Sequence, residues 1–522
     1  MKTFKNPILP GFYPDPSICR VEDDYYMVTS TFEYFPGVPI FHSKDLVNWR
    51  QLGHVLDRPS QLNLDGTPCS KGIYAATIRY NDGIFYMITT FVVSKTGARK
   101  NFYVTATDPA GPWSEPNWLD DAPGIDSSLF FDEDGKVYFT ANRVPPEGQQ
   151  YPKHMEIYLQ ELDLQEKQLV GSKYSLWDGA LKQIHAQEAP HLYKIDGYYY
   201  LIIAEGGTGF THSVTIARSE SITGPYEVCK TNPILTHRHL GRNYPITNVG
   251  HADIVETQDG EWWMVCLGTR PYGGDYRNIG RETFLVPFTW ENGWPVVNPG
   301  KGIVEIEMVR PSLPEQRWQT QQACDHFDSE KLDDRWNFIR TPRENFWSLT
   351  ERTGFLRLKT KAETIIEETN PSFIGRRQQH INFAVRTEMH FSPTEEGESA
   401  GLVLLQSTDY QYRLEYTKVS GDTVVCLTKR VEGIDNVEAI YKTNANVLFF
   451  KVEAFGQSYS FYYAEKPEQW EIVKENVDGT ILSSDVAGGF VGTYIGMYTS
   501  SSGKESSNFV DFDYFEYVGL SN

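Results

Sequence analysis

The sequence is poor in cysteine. Only Cys19, Cys69, Cys229, Cys266, Cys324 and Cys426 occur among 522 residues, and no two are spaced as CxxC. That scatter excludes a zinc finger and argues against a disulfide framework, so these read as reduced, mostly buried thiols. Long apolar runs are also missing, which excludes a transmembrane helix and leaves no reason to expect a membrane partner. The opening MKTFKNPILPGFYPDPS lacks the apolar core of a signal peptide, so a cytoplasmic location is expected. Positive charge is in deficit: 48 Lys and Arg stand against 69 Asp and Glu, for a net charge of -21 and a pI near 5.1. A basic face for nucleic acid or anionic lipid is excluded, and a neutral substrate fits better. Helical periodicity is scarce, so the chain is expected to be nearly all β.

Aromatic residues are plentiful at 14%, which suits β-strands and sugar-stacking surfaces alike. A length of 522 residues exceeds one ordinary core and points to two domains. The first part repeats one phrase: an apolar strand, an Asp-Gly turn and an aromatic strand. The clearest copy is QEAPHLYKIDGYYYL, Gln187 to Leu201, and others begin at Pro14, Ile73, Ile125 and Gly250. In the first copy Asp23-Asp24 replaces Asp-Gly. Asp-Gly between apolar runs is a strong hairpin signal.

Aligned on the turn aspartates Asp23, Asp82, Asp134, Asp196 and Asp259, a step of eight residues back reaches Asp15, Tyr74, Asp126, Glu188 and His251. The gaps between these are 59, 52, 62 and 63 residues. Five hairpins so spaced predict a five-bladed β-propeller over residues 1–308. Equivalent positions on inner strands converge on one axis, so three carboxyls are expected in one cavity, with their pKa values driven apart. Residues 309–324 read as a linker. From 325 to 522 short strands alternate cleanly between apolar and polar, as in Tyr410–Tyr416, and predict a β-sandwich.

Paired carboxyls facing a neutral substrate suit glycoside hydrolysis: one protonates the leaving oxygen while the other activates water or attacks carbon. A non-catalytic sugar-binding or interaction propeller is the alternative from another class, and it would require the axial acids to lie apart or to be fully salt-bridged.

The segments FYPDPSI at Asp15, GIDSSLFFDEDG at Asp126, QEAPHLY at Glu188, VGHADIVE at His251 and GRETFL at Arg281 occur in this order. Together they resemble glycoside hydrolase family 43, and most closely its β-xylosidases and α-L-arabinofuranosidases with a C-terminal concanavalin-like β-sandwich. The resemblance implies an exo-acting, inverting enzyme that releases xylose from the non-reducing ends of xylo-oligosaccharides. Arabinofuranosidase or dual activity on arabinoxylan fragments is the alternative. It implies Asp15 as general base, Glu188 as general acid and Asp126 as the residue that tunes the acid, and Asp126 is expected to stay ionised. Arg281, Phe32, Tyr74 and His251 are the implied substrate contacts. Arg281 could instead pair with Glu282. His251 is also the one candidate metal ligand, for a structural calcium or a water on the axis, and no cofactor is required. Homo-oligomerisation is left open. His212 is a candidate at the pocket mouth. A sandwich loop is expected near the pocket, and Thr499 to Asn508, the stretch chosen for it, holds no aromatic side chain.

Overall fold

The computed structural model describes residues 2–93, 97–181, 183–319 and 321–521. Five antiparallel sheets follow one another in the first part, each with its strands in chain order. Their inner strands are Ser17–Val21, Gly72–Asn81, Ser128–Phe131, Glu188–Ile195 and Thr247–Glu256. These are blades one to five of a β-propeller. The N-terminal strand Thr3–Lys5 pairs with Glu307–Val309, and the Asn6 amide donates to the carbonyls of Leu285 and Glu305. The chain start is thereby tied to the end of blade five.

The hairpins form where Asp-Gly marks them. Asp82 and Gly83 sit at φ 48° and 80°, and Asp196 and Gly197 at 48° and 84°. Two successive positive φ values define the mirror-image turn whose twist matches paired strands. Blade one turns one residue earlier, with Val21 opposite Asp24. It also lacks the bulge that adds a residue to the inner strands of blades two, four and five. The common offset of eight is therefore reached differently among the blades, by a bulge in some, by a shifted turn in blade one and by a longer turn between Phe131 and Val137 in blade three.

The second part, from Cys324 to Gly519, forms two packed sheets, each of eight strands among the described residues. One of those sixteen strands comes from the propeller. Tyr34–Phe35, between the strands of blade one, pairs with Asn337–Ile339 and completes a sandwich sheet. Tyr34 stacks on Tyr494 at 3.6 Å between ring centroids, and Arg377 donates to the Phe12 carbonyl at 2.7 Å. The sandwich is thus joined to the propeller by shared β-structure and buried aromatic packing. One helix, Ser484–Ala487, lies in the connection that leads back towards the propeller.

Candidate active site

The axis is closed partway along by a buried charged network. Asp253 of blade five is fully buried. It accepts hydrogen bonds from Ser17 Oγ of blade one at 2.7 Å, Arg79 Nη1 of blade two at 2.8 Å and the Tyr193 hydroxyl of blade four. Arg79 also reaches His191 Nδ1 at 2.9 Å. Burial alone would raise the Asp253 carboxyl, but Arg79, His191 and the hydroxyl donors outweigh it and hold it well below the usual range. Ser17, Ser128 and Asp253 lie two residues beyond Asp15, Asp126 and His251. Ser128 Oγ lies 3.3 Å from His191 Nδ1, but Arg79, His191 and Tyr193 fall at other offsets from the turn, so the repeat carried only part of this plug.

Above the plug lies a pocket lined by Asp15, Phe32, Tyr74, Asp126, Glu188, His251 and Arg281, together with Thr208, His212 and Phe490. All eight residues singled out in the sequence, His212 included, therefore meet in one cavity. Backbone geometry aims several of them. Asp15, Asp126 and His251 adopt φ of 56°, 57° and 49°, and Ala189, next to Glu188, adopts 53°. The left-handed region costs an L-residue roughly 1–2 kcal/mol, a cost tolerated where structure around it fixes the conformation. The bulge after Glu188 re-aims its strand in the same manner. It also turns the Ala189 N–H towards Asp126.

The three carboxyls meet different surroundings. Asp15 Oδ1 accepts from Arg281 Nη1 at 2.8 Å, and Oδ2 accepts from Ser30 Oγ at 2.6 Å. Burial pushes Asp15 up, but Arg281, His251 and Ser30 together prevail and hold it below the ordinary carboxylate range. Burial, and then the negative charge of Asp15, push Glu188 up to about 7. Asp126 is also raised well above its usual range, by burial first and then by Glu188 and Asp15. The expectation that Asp126 stays ionised is corrected here: a buried carboxyl with two carboxyl neighbours resists ionisation as Glu188 does. The two titrate as a coupled pair.

Arg281 faces Asp15 rather than Glu282, whose carboxylate instead takes both Arg270 bonds at 2.7 Å. The Arg281 guanidinium also lies 5.4 Å from the Phe32 ring centre and 5.8 Å from that of Phe490. Phe32 and Tyr74 pack at 5.1 Å between centroids, and Phe32 and Phe490 at 6.0 Å. Three aromatic rings thus wall the pocket, one of them from the sandwich. The sandwich segment that reaches the pocket is the one carrying Phe490, not the stretch from Thr499 to Asn508. Phe490 follows Gly488-Gly489, which marks a turn but not where that turn lands, and it belongs to no repeat or motif that would aim it at the pocket.

His251 lies beside Asp15, with Nδ1 3.6 Å from Oδ1. His212 donates from Nδ1 to the Asn248 carbonyl at 2.9 Å, and its Nε2 is buried without a protein partner among the described residues. Burial drives its pKa down to about 3, so Nε2 remains a bare acceptor that lines the pocket. Thr208 Oγ1 and Arg281 Nε are likewise buried and unpartnered. Buried polar atoms without partners are rare, and three around one cavity suit the hydroxyls of a bound polyol. Gly250 makes room for His212, because a Cβ there would lie 2.4 Å from the ring.

Calcium suits this donor set poorly. Its usual six to eight oxygen ligands contrast with one carboxylate beside His251, already bonded to Arg281 and Ser30. No group of three or more His, Cys, Asp and Glu among the described residues is arranged to hold a metal.

Comparison with known proteins agrees with this geometry. Residues 4–295 match the model for glycosyl hydrolases family 43, and residues 324–518 match the β-xylosidase C-terminal concanavalin A-like domain. A xylosidase/arabinosidase of Butyrivibrio fibrisolvens is 47% identical over 98% of both chains. The non-reducing end α-L-arabinofuranosidase BoGH43B of Bacteroides ovatus is 42% identical over 99% of this chain and 95% of its own. The solved xylan β-1,4-xylosidase from Bacillus halodurans C-125 superposes with a TM-score of 0.94 at 37% identity, covering 98% and 99% of the two chains. With both of its domains matched and its axial carboxyls gathered in one pocket, this chain belongs to glycoside hydrolase family 43.

Proposed function

We propose that the pocket removes single pentose units, foremost xylose, from the non-reducing ends of xylo-oligosaccharides with inversion at the anomeric carbon. The observation that carries this reading is that two carboxyls of one cavity meet opposite surroundings, Asp15 bonded by Arg281 and Ser30 and Glu188 buried against the charge of Asp15. Asp15 is held ionised and Glu188 is pushed up to about 7. An ionised carboxylate can take a proton from water as that water attacks the anomeric carbon. A carboxylic acid still protonated near neutral pH can give its proton to the leaving oxygen as the glycosidic bond breaks. Asp15 is therefore assigned as base and Glu188 as acid. Asp126 resists ionisation beside the acid and accepts the backbone N–H of Ala189.

Exo action follows from the shape. Phe32, Tyr74 and Phe490 line one small cavity with the carboxyls, and this confinement suits a chain end better than a mid-chain segment. Arg281, His212 and Thr208 offer a donor and two hydroxyl-compatible partners for the terminal sugar. No metal enters any step.

A second reading, α-L-arabinofuranosidase or dual activity, is favoured by the names of two similar proteins, xylosidase/arabinosidase and α-L-arabinofuranosidase. Hydrolysis of 4-nitrophenyl β-D-xyloside and 4-nitrophenyl α-L-arabinofuranoside by one preparation separates the two. A higher kcat/KM on the xyloside is expected. Activity on the arabinoside alone would overturn the main reading, and activity on neither would overturn both.

A further inference from the structure

We propose that Ser70 is a positioning residue whose hydroxyl latches the sandwich loop carrying Phe490 onto the propeller and so sets the aromatic wall of the pocket. This rests on the pentosidase reading of that pocket. Ser70 lies in the connection between blades one and two and is buried. Its Oγ accepts the Phe490 N–H at 2.8 Å. Its carbonyl accepts the Tyr74 hydroxyl at 3.3 Å. Its own N–H donates to the buried Glu33 carboxylate at 3.0 Å. One residue thus fixes two of the three aromatic walls from behind, without itself lining the cavity.

Three further observations make this a built contact. The residue before Phe490 is Gly489, at φ 80°, and a Cβ there would stand 2.4 Å from Ser70 Oγ. The close approach of the two domains at this point therefore requires glycine. Ser70 itself holds φ 62°, an uncommon backbone for a residue with a side chain. Finally, the Phe490 carbonyl accepts Arg281 Nη2 at 3.3 Å, and Arg281 holds Asp15. The Phe490 backbone is therefore gripped on one side by Ser70 and on the other by the arginine that holds the proposed base. Loosening the Ser70 grip would let the ring move and widen the pocket, weakening the hold on the sugar in ground and transition states alike.

The test is a double-mutant cycle on the nitrophenyl xyloside. Ser70→Ala is expected to raise KM roughly fivefold, the worth of one ordinary hydrogen bond, with kcat within about twofold. In a Phe490→Ala background the same change should alter KM by less than about 1.5-fold, because the group it positions is gone. Ser70→Cys, of similar size and a weaker acceptor, should fall between wild type and alanine and gives a second reading if the alanine variant folds poorly. Hydrogen exchange supplies a readout independent of turnover: the Phe490 amide should be protected in wild type and exchange faster in Ser70→Ala. Equal KM losses in both backgrounds, or unchanged exchange at Phe490, would overturn the latch. A wild-type enzyme inactive on both pentosides would overturn the pentosidase reading instead, while the exchange result would still decide the latch.

Discussion

Replacing Ser30 with alanine should move the acidic limb of the pH–rate profile towards neutral pH. Ser30 is fully buried, does not line the pocket and donates its hydroxyl to Asp15 Oδ2 at 2.6 Å. A base works in its ionised form, so activity is present above its pKa and lost as pH falls through it. The Ser30 hydroxyl favours the ionised form, and its removal raises the Asp15 pKa. Hydrogen bonds to charged groups contribute about 1.5–3 kcal/mol. Asp15 keeps Arg281 at 2.8 Å on its other oxygen, so the lower figure applies. At about 1.36 kcal/mol per unit, the shift is roughly one pH unit. The assay is kcat/KM against pH on the nitrophenyl xyloside, which reports groups of the free enzyme. On the acidic limb Ser30→Ala should lose about tenfold in activity, and on the plateau less than about twofold. An unmoved limb, or one displaced to lower pH, would refute the view that these donors hold Asp15 ionised.

Glu188→Ala should lose roughly 10²–10⁴-fold on xylobiose but markedly less on an activated aryl xyloside, whose leaving group needs little protonation. Equal losses on both substrates would remove Glu188 from the role of acid. Asp126→Asn removes a carboxyl that itself resists ionisation, while burial and the charge of Asp15 are what raise Glu188, so the basic limb of kcat/KM should stay in place. A basic limb that moves to acid would show that Asp126 is ionised when Glu188 loses its proton. Arg79→Met leaves the Asp253 charge buried and unpaired, and should cost about 3–5 kcal/mol of stability by denaturant titration. A loss below about 1 kcal/mol would mean that the axial plug does not carry the propeller's stability.

The propeller was legible because its repeat is punctuated by turns that demand positive φ, which Asp-Gly supplies at little cost. The carboxyls were legible because each stands at a fixed distance from such a turn. That offset survived although bulges and a shifted turn compensate for one another among the blades, a detail that no spacing could reveal. Domain contacts were not legible. Tyr34–Phe35 is a two-residue strand whose partner lies in the other domain, and Phe490 reaches the pocket from a connection with no internal echo. The protonation of Asp126 escaped for another reason. Carboxyl charges were counted in the sequence, but the larger influence is burial, which only the packed structure supplies.

The stereochemistry of the first product tests the central assignment most directly. Inversion by a base-activated water requires 4-nitrophenyl β-D-xyloside, whose leaving group carries no second xylose, to release xylose as the α-anomer, visible by proton NMR before mutarotation. The expected record is an early α-xylose anomeric signal, followed by slow growth of the β signal. Early accumulation of β-xylose would mean a retained configuration, with a carboxylate acting as nucleophile, and would contradict the roles assigned to Asp15 and Glu188.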